Sequence, residues 1–149
     1  MAIFSMNKIP YILIALIIPL AVHAAIDWND SDVEWYNYAD GIEQAKQDGK
    51  KALIIVYADW CGVCKRYSEM FRNPEVVKQA KGVILIRINQ DTEKQYADKF
   101  SVDGTYIPRT YILGTEQQIL SSPYKSEKYG FFLPPGKDEF LIKLLEWLQ

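Results

Sequence analysis

The chain has 149 residues, a formal net charge of −2 and an apolar fraction of 49%, a composition typical of an ordinary globular domain. This weakly acidic balance argues against a nucleic-acid-binding protein, which would need an excess of Lys and Arg. The single histidine, His23, lies within the first two dozen residues. The rest of the chain therefore offers no imidazole to activate a nucleophile or to bind a metal.

The first 24 residues have the character of a secretory signal peptide. Lys8 is the only charged residue before Asp27, and it precedes a mostly apolar run from Ile9 to Val22. As a helix that run would span about 21 Å, less than the roughly 30 Å hydrocarbon core of a bilayer. We expect cleavage after Ala24, export to a bacterial periplasm and one mature domain over residues 25–149. An uncleaved membrane anchor is the alternative, but a second basic flank is missing.

Helix and strand patterns alternate through the first half of the chain. Helix-forming residues predict a helix over Tyr38–Asp48 that ends at Gly49, and the apolar run Ala52–Tyr57 predicts a strand buried on both faces. A second helix is expected from Cys61 to Phe71. A short third helix is expected from the Asn73-Pro74 pair to Ala80.

The second half predicts further strands and a closing helix. Its elements, in chain order, are a buried strand over Val83–Asn89, a polar helix over Thr92–Phe100 and an antiparallel hairpin of Arg109–Leu113 and Gln117–Leu120 around Gly114-Thr115. A loop rich in aromatic residues follows, from Ser121 to Gly136. The last helix carries an apolar stripe that includes Leu141 and Leu145.

Cys61 and Cys64 are the two cysteines of the chain, and their C-x-x-C spacing falls where a predicted strand meets a predicted helix. A zinc site would need two further thiolates or imidazoles, which the mature chain lacks. A purely structural disulfide would close so short a loop that it would stabilise the fold only slightly. The third interpretation, a redox-active dithiol, is the one that the physical chemistry favours.

The two cysteines are expected to have different roles. At the start of a helix, Cys61 would lie among unpaired N–H groups at the positive end of the helix dipole, and Lys65 and Arg66 add positive charge. These effects favour the thiolate, so Cys61 is the predicted nucleophile and the shielded Cys64 the predicted resolving thiol. Trp60 either offers an apolar flank to a partner protein or is an ordinary core tryptophan.

Two segments carry a resemblance to a known family. WCGVCK, from Trp60 to Lys65, resembles the active-site motif of the thioredoxin family, and the preceding Tyr57-Ala58-Asp59 makes it similar to the C-terminal periplasmic domain of membrane thiol:disulfide interchange reductases. FSVDGTYIPRTYIL, from Phe100 to Leu113, resembles the anterior-gradient type of small thioredoxin-domain protein of the endoplasmic reticulum. The resemblance implies an α/β thioredoxin fold, with a central mixed sheet flanked by helices on both faces.

The resemblance also implies a substrate-binding surface opposite the cysteines. Pro108 would be a cis-proline facing them, although an ordinary trans bond is the alternative, and Ile107 would pair its backbone with an extended substrate segment. Tyr106 and Arg109 flank this surface, but Arg109 is equally compatible with a solvated loop charge. The residues expected to bind substrate are Trp60, Gly62, Val63, Tyr106, Ile107 and Pro108.

The sequence departs from the thioredoxin pattern at Ile55. Thioredoxins usually carry a buried aspartate there, which assists proton transfer to the resolving thiol. Asp59 is nearer in sequence to the cysteines but is expected to be too exposed to replace that aspartate. The Gly62-Val63 dipeptide also lacks both the proline of typical reductants and the histidine of strong oxidants, so the direction of electron flow stays open.

We therefore expect an exported thiol-disulfide oxidoreductase that acts on protein thiols and disulfides, without metal, nucleotide or flavin. A redox partner protein, either soluble or membrane-bound, would complete the cycle. Reduction is slightly favoured because no histidine accompanies the cysteines and the most similar local motif belongs to a reducing pathway. A disulfide oxidase or isomerase, and a non-catalytic protein-binding module, are the alternatives.

Overall fold

The computed structural model describes residues 24–124, 126 and 128–149, so the predicted leader lies outside it except for Ala24. The described helices are α1 (Tyr38–Asp48), α2 (Gly62–Ser68), α3 (Pro74–Ala80), α4 (Lys94–Ala97) and α5 (Asp138–Leu148), with 3-10 turns at Glu69–Arg72 and Asp98–Phe100. The described strands are β1 (Ala52–Tyr57), β2 (Ile84–Asn89), β3 (Arg109–Leu113) and β4 (Ile119–Leu120).

These strands form one mixed sheet in the order β2-β1-β3-β4. Strand β1 runs parallel to β2 and antiparallel to β3, which pairs in turn with β4 in antiparallel fashion. The first five residues of β1 are buried because neighbouring strands and packed helices surround them. The predicted α/β architecture with a central mixed sheet is confirmed.

Alternate side chains of β1 build two cores, one on each face of the sheet. Leu53 and Ile55 pack with residues of α2, α3 and α5 on one face. Ile54 and Val56 pack with residues of α1 and α4 on the other. Both faces are therefore covered by helices, as predicted.

Helix α2 is shorter than predicted. The chain turns helical at Gly62, but the regular helix ends at Ser68 and continues as a tighter 3-10 turn from Glu69. The Ser68 hydroxyl donates a hydrogen bond to the Lys65 carbonyl oxygen at 2.9 Å. Such a bond competes with the regular helical pattern and accompanies the change of winding.

Helix α4 and strand β4 are also shorter than predicted, because a hydrogen-bonded turn precedes each of them and because α4 tightens into the 3-10 turn Asp98–Phe100. The Glu93 N–H donates to the Asn89 carbonyl at 2.8 Å, so the chain closes a turn before α4 begins at Lys94. In the hairpin, Gln117 adopts a left-handed backbone conformation with φ of 64°, which leaves only Ile119–Leu120 to pair.

The described residues of the loop Ser121–Gly136 pack back onto the domain. The Phe131 carbonyl accepts a hydrogen bond from the Thr110 N–H at 2.6 Å, and the Phe131 ring stacks on Tyr111 with centroids 4.2 Å apart. Earlier in the same loop, the ring of Tyr124 stacks on the ring of Phe140 in α5. The aromatic content predicted for this loop therefore serves to attach it to β3 and α5.

The segment before α1 is anchored by Trp28, whose side chain is fully buried. Its ring lies 5.1 Å from that of Tyr57 and 6.0 Å from that of Phe71, measured between centroids. The neighbouring Asn29 side-chain amide donates to the Phe71 carbonyl at 2.9 Å. Trp28 and Asn29 therefore hold this segment against the end of β1 and the 3-10 turn that follows α2.

No helix within residues 24–124, 126 and 128–149 combines the length and the apolar character needed to cross a membrane.

Replacing Trp28 with alanine should lower the free energy of unfolding by about 3–5 kcal/mol, because a large, fully buried side chain is lost from the core. Trp147 provides the matched control, since 45% of it is exposed. Trp147→Ala should cost about 1 kcal/mol or less. Urea unfolding followed by far-ultraviolet circular dichroism measures both changes, and equal losses would show that Trp28 does not anchor the segment.

Candidate active site at the end of the central strand

The two cysteines lie where β1 gives way to α2. Cys61 is the N-cap residue of α2, with extended backbone angles of φ −79° and ψ 104°. It forms a disulfide with Cys64, and the two Cα atoms are 5.2 Å apart. The Cys61 Sγ also accepts a hydrogen bond from the Cys64 N–H at 3.0 Å. The buried strand therefore delivers Cys61 directly to the first peptide N–H groups of the helix.

Solvent access distinguishes the two sulfurs. Cys61 is 6% exposed to solvent, whereas Cys64 is fully buried. Lys65 and Arg66, both exposed, follow on α2 and add positive charge close to the pair. In the reduced protein, the peptide N–H of Cys64 and these cations would stabilise a thiolate on Cys61. The geometry thus favours Cys61 as the attacking sulfur.

The loop before β3 lies against the dithiol. The peptide bond between Ile107 and Pro108 is cis, the isomer that the resemblance implied, and Pro108 is buried. The Ile107 carbonyl oxygen lies 4.0 Å from the Cys61 Sγ. Val63 and Ile107 both pack against the cysteine pair. The structure therefore brings together five of the residues selected from the sequence.

Trp60 and Gly62 are the exposed part of the motif. Trp60 is 55% exposed, so the alternative of a core tryptophan is wrong. Its indole N–H donates to the Asp91 carboxylate at 2.7 Å, which fixes the ring at the surface. A Cβ atom added at Gly62 would meet nothing within 4 Å, so the space above the motif is open. Both residues can be reached by another protein.

The structure assigns Arg109 a different environment from the solvated one considered above. Only 2% of it is exposed. Its Nε donates to the Phe100 carbonyl and its Nη1 to the Tyr106 carbonyl, both at 2.7 Å. Burial lowers the pKa of the Arg109 guanidinium. Arg109 therefore fixes the loop that leads to Pro108, and the alternative of a solvated charge is wrong.

Tyr106 is directed toward the aromatic loop. Its hydroxyl donates to the Asp103 carboxylate at 2.6 Å and accepts from the Phe131 N–H at 3.0 Å. Its ring packs on that of Tyr129, with centroids 4.5 Å apart. Burial and the Asp103 carboxylate raise the pKa of the Tyr106 hydroxyl. These contacts connect two loops beside the site, and contact with substrate stays a prediction for this residue.

Ile55 is fully buried and lies opposite Thr110 in the register of β1 and β3. The Thr110 hydroxyl shares a hydrogen bond of 3.0 Å with the Tyr67 hydroxyl. Burial raises the pKa of Tyr67, so this hydroxyl stays neutral. The hydrogen-bonded pair beside Ile55 therefore consists of two neutral hydroxyls. Tyr67 was not selected from the sequence, although its position three residues after Cys64 places it on the same helix face.

Asp59 is half-buried rather than fully enclosed, and its inability to replace a buried aspartate stays a prediction. One carboxylate oxygen accepts from the Ile26 N–H at 3.0 Å, and the other accepts from the Asn89 side-chain amide at 2.9 Å. Both oxygens therefore hold other segments in place.

Among the described residues, no cluster of three or more His, Cys, Asp or Glu side chains is arranged to hold a metal.

Comparisons with known proteins find similarity to thioredoxin-like proteins and to protein disulfide-isomerases. A family model described as Thioredoxin-like matches residues 34–115. Probable protein disulfide-isomerase A6 of Medicago sativa is 32% identical over 66 residues, which are 44% of this chain and 18% of that protein. Thiol:disulfide interchange protein DsbD of Haemophilus influenzae is 31% identical over 58 residues, which are 36% of this chain and 10% of that protein.

A solved structure extends the comparison to the fold. The C-terminal domain of Neisseria meningitidis DsbD, in its reduced form, matches with a TM-score of 0.56 at 16% identity, covering 78% of this chain and 100% of that one. The fold and the cysteine pair together define the class of thiol-disulfide oxidoreductases. Since the family model matches more than half of its residues, the chain belongs to the thioredoxin-like family. It spans less than a fifth of the two curated relatives named above.

In the reduced protein, iodoacetamide at neutral pH should modify Cys61 about tenfold faster than Cys64. Cys61 has both the exposed surface and the thiolate-stabilising surroundings, whereas Cys64 has no exposed surface. Peptide mapping by mass spectrometry after brief alkylation distinguishes the two sites. Equal modification of both cysteines would remove the structural basis for their different roles.

Ile55→Asp should speed the attack of Cys64 on a mixed disulfide near neutral pH, because it adds a proton acceptor on the buried side of β1. It should also lower the free energy of unfolding by about 3–5 kcal/mol, the cost of an uncompensated buried charge. Ile55→Asn is the matched control, since it adds polarity without an ionisable group. Single-turnover kinetics on folded variants measure the step, and equal rates for all three proteins would show that the position does not limit it.

Proposed function

We propose that the protein is an exported thiol-disulfide oxidoreductase that reduces disulfides in protein substrates. The observation that carries this proposal is the unequal burial of the two sulfurs at the start of α2, opposite the Ile107 carbonyl. One sulfur is accessible to a substrate, and the other is held within reach of the first. This arrangement suits a reaction in two successive exchanges.

In the first exchange, the Cys61 thiolate attacks one sulfur of a substrate disulfide. The substrate S–S bond breaks, a bond forms between Cys61 and that sulfur, and the other substrate sulfur leaves as a thiolate that takes a proton from water. In the second exchange, Cys64 loses its proton and attacks the Cys61 sulfur. The substrate is released as a dithiol, and its two electrons come from the cysteine pair, which ends as the disulfide.

The substrate would bind across the exposed end of the site. Trp60, Gly62 and Val63 offer one side of this surface, and Ile107 and Pro108 offer the other. The Ile107 backbone would pair with an extended segment of the substrate, which allows many sequences to bind. In this proposal Tyr106 supports the same surface from the neighbouring loop.

Export and the reducing direction are parts of the same proposal. The leader-like segment before Ala24 supports export to the periplasm, with cleavage after Ala24. The similarity to DsbD supports a reducing role, in which a redox partner protein, such as a membrane-bound one, re-reduces the pair. A disulfide oxidase or isomerase would use the same residues at a higher reduction potential, so equilibration of Cys61 and Cys64 with glutathione separates these functions.

Cys64→Ser should accumulate covalent adducts with substrate proteins, because serine cannot complete the second exchange. Cys61→Ser should form far fewer adducts, since the remaining sulfur is fully buried. Non-reducing electrophoresis of both tagged variants in the exporting cell measures the difference, and a double serine variant controls for other binding.

Insulin reduction by the wild-type protein tests turnover independently. A folded wild type that neither reduces insulin nor exchanges with glutathione would contradict the proposal, and a non-catalytic binding module would then replace it. Equal trapping by the two single variants would contradict the assigned roles of the cysteines.

A further inference from the structure

A cleft of about 400 Å³ opens beside Cys61, and part of its wall comes from outside the cysteine motif. Its volume falls in the range of small-ligand pockets, roughly 300–1,000 Å³. Residues 24–27 of the N-terminal segment form one wall, of which 25–27 remain after the cleavage proposed at Ala24, and residues that flank the cysteines form the other. The principal lining residues are Ala25, Ile26, Asp59, Trp60, Cys61 and Lys65.

The N-terminal wall is fixed at several points. The Ile26 N–H donates to Asp59, and the Asp27 carboxylate pairs with Arg72 at 2.7 Å. Asp59 is itself held by Asn89, and the next residue along the segment, Trp28, is fully buried. A wall attached in this way is present before any substrate arrives, so ordering it adds little cost to binding.

The position of the cleft identifies what it would bind. Cys61 is one of its lining residues and is the sulfur proposed to form the mixed disulfide. A substrate bonded to that sulfur must therefore place the residues next to its own cysteine at the cleft. The cleft shares Trp60 and Gly62 with the substrate surface proposed above, but Ile107 and Pro108 do not line it, so it extends that surface toward the N-terminal segment.

The chemistry of the cleft favours an apolar side chain. Ile26 packs against the cysteine pair, and the Trp60 ring is held at the surface by Asp91. The two carboxylates at the cleft are engaged, since Asp27 pairs with Arg72 and both oxygens of Asp59 accept hydrogen bonds. Lys65 also lines the cleft, but it is exposed, so its ammonium group can stay in water while its methylene groups cover apolar surface. An apolar side chain that enters between Ile26 and Trp60 would be removed from water, and it would not displace those contacts.

We propose that this cleft is a specificity subsite that takes an apolar side chain adjacent to the substrate's reactive cysteine, and that Ile26 and Trp60 determine this preference. The inference rests on the proposed thiol-disulfide exchange and adds a substrate class to it. Polypeptides with Leu or Phe beside the cysteine are the preferred partners, and those with Ser or Asp are disfavoured.

The test uses short cysteine peptides joined by a disulfide to 5-thio-2-nitrobenzoate, identical except for Leu or Ser beside the cysteine. The Cys61 thiolate of the reduced protein attacks the peptide sulfur, and the coloured thiolate is released as the leaving group. The readout is the ratio of the Leu-peptide rate to the Ser-peptide rate, so a general change in Cys61 reactivity cancels. For the wild type we expect a ratio of about ten, because the Leu side chain buries apolar surface in the cleft and the Ser side chain does not.

Two variants examine the wall itself. Ile26→Ser removes the apolar surface and Ile26→Trp fills the cleft, and each should bring the ratio below about three. Val102→Ser is the matched control, because Val102 is 67% exposed and does not line the cleft, and it should keep the wild-type ratio. Two substitutions of opposite size keep the test decisive if one of them does not fold.

The outcomes separate the subsite from the function on which it rests. A wild-type ratio near one, or a wild-type ratio retained in a folded Ile26 variant, would overturn the subsite while leaving the exchange reaction intact. A wild type that releases no coloured thiolate from either peptide would overturn the proposed function, and the subsite with it.

Discussion

The site depends on the point at which the buried strand β1 gives way to α2. Because Val56 and Ala58 are both buried, the chain cannot shift along the sheet without moving apolar side chains into water. Cys61 therefore reaches the N-cap position, where its sulfur accepts the Cys64 N–H. The difference between an accessible and a buried sulfur follows from this one constraint, since the next helical turn carries Cys64 into the core.

Asp59 extends that constraint to two other parts of the chain. Its carboxylate accepts one hydrogen bond from the N-terminal segment and one from Asn89 at the end of β2. A single side chain beside the cysteine motif thus aligns three segments that are far apart in sequence. Arg109 has the corresponding role on the other side, because its buried guanidinium binds two loop carbonyls next to Pro108. Asp59 and Arg109 thus use their charged groups to hold neighbouring segments in place.

Elements determined by local sequence were predictable, and features that depend on distant partners were not. The strand Ala52–Tyr57 and the N-cap at Asn73 follow from apolar runs and capping chemistry, and both appear as predicted. The burial of Arg109 depends on carbonyl groups of another loop, which no local pattern reveals. In the same way, the contact between Ile26 and Asp59 joins residues 33 positions apart, so the N-terminal wall of the cleft could not be predicted from the motif.

The replacement of a buried carboxylate by Ile55 has a consequence for proton transfer. Tyr67 and Thr110 place two hydrogen-bonded hydroxyls on that side of the sheet. Burial raises the pKa of Tyr67, and a threonine hydroxyl does not ionise, so neither group carries the negative charge of a carboxylate. An isoleucine at this position spares the fold the cost of burying an ionised group. In the proposed mechanism, position 55 offers no carboxylate to accept the proton of Cys64, so this proton leaves through water or the substrate thiolate. The rate of release from the mixed disulfide would therefore depend on the substrate itself, which links product release to what occupies the surface around Cys61.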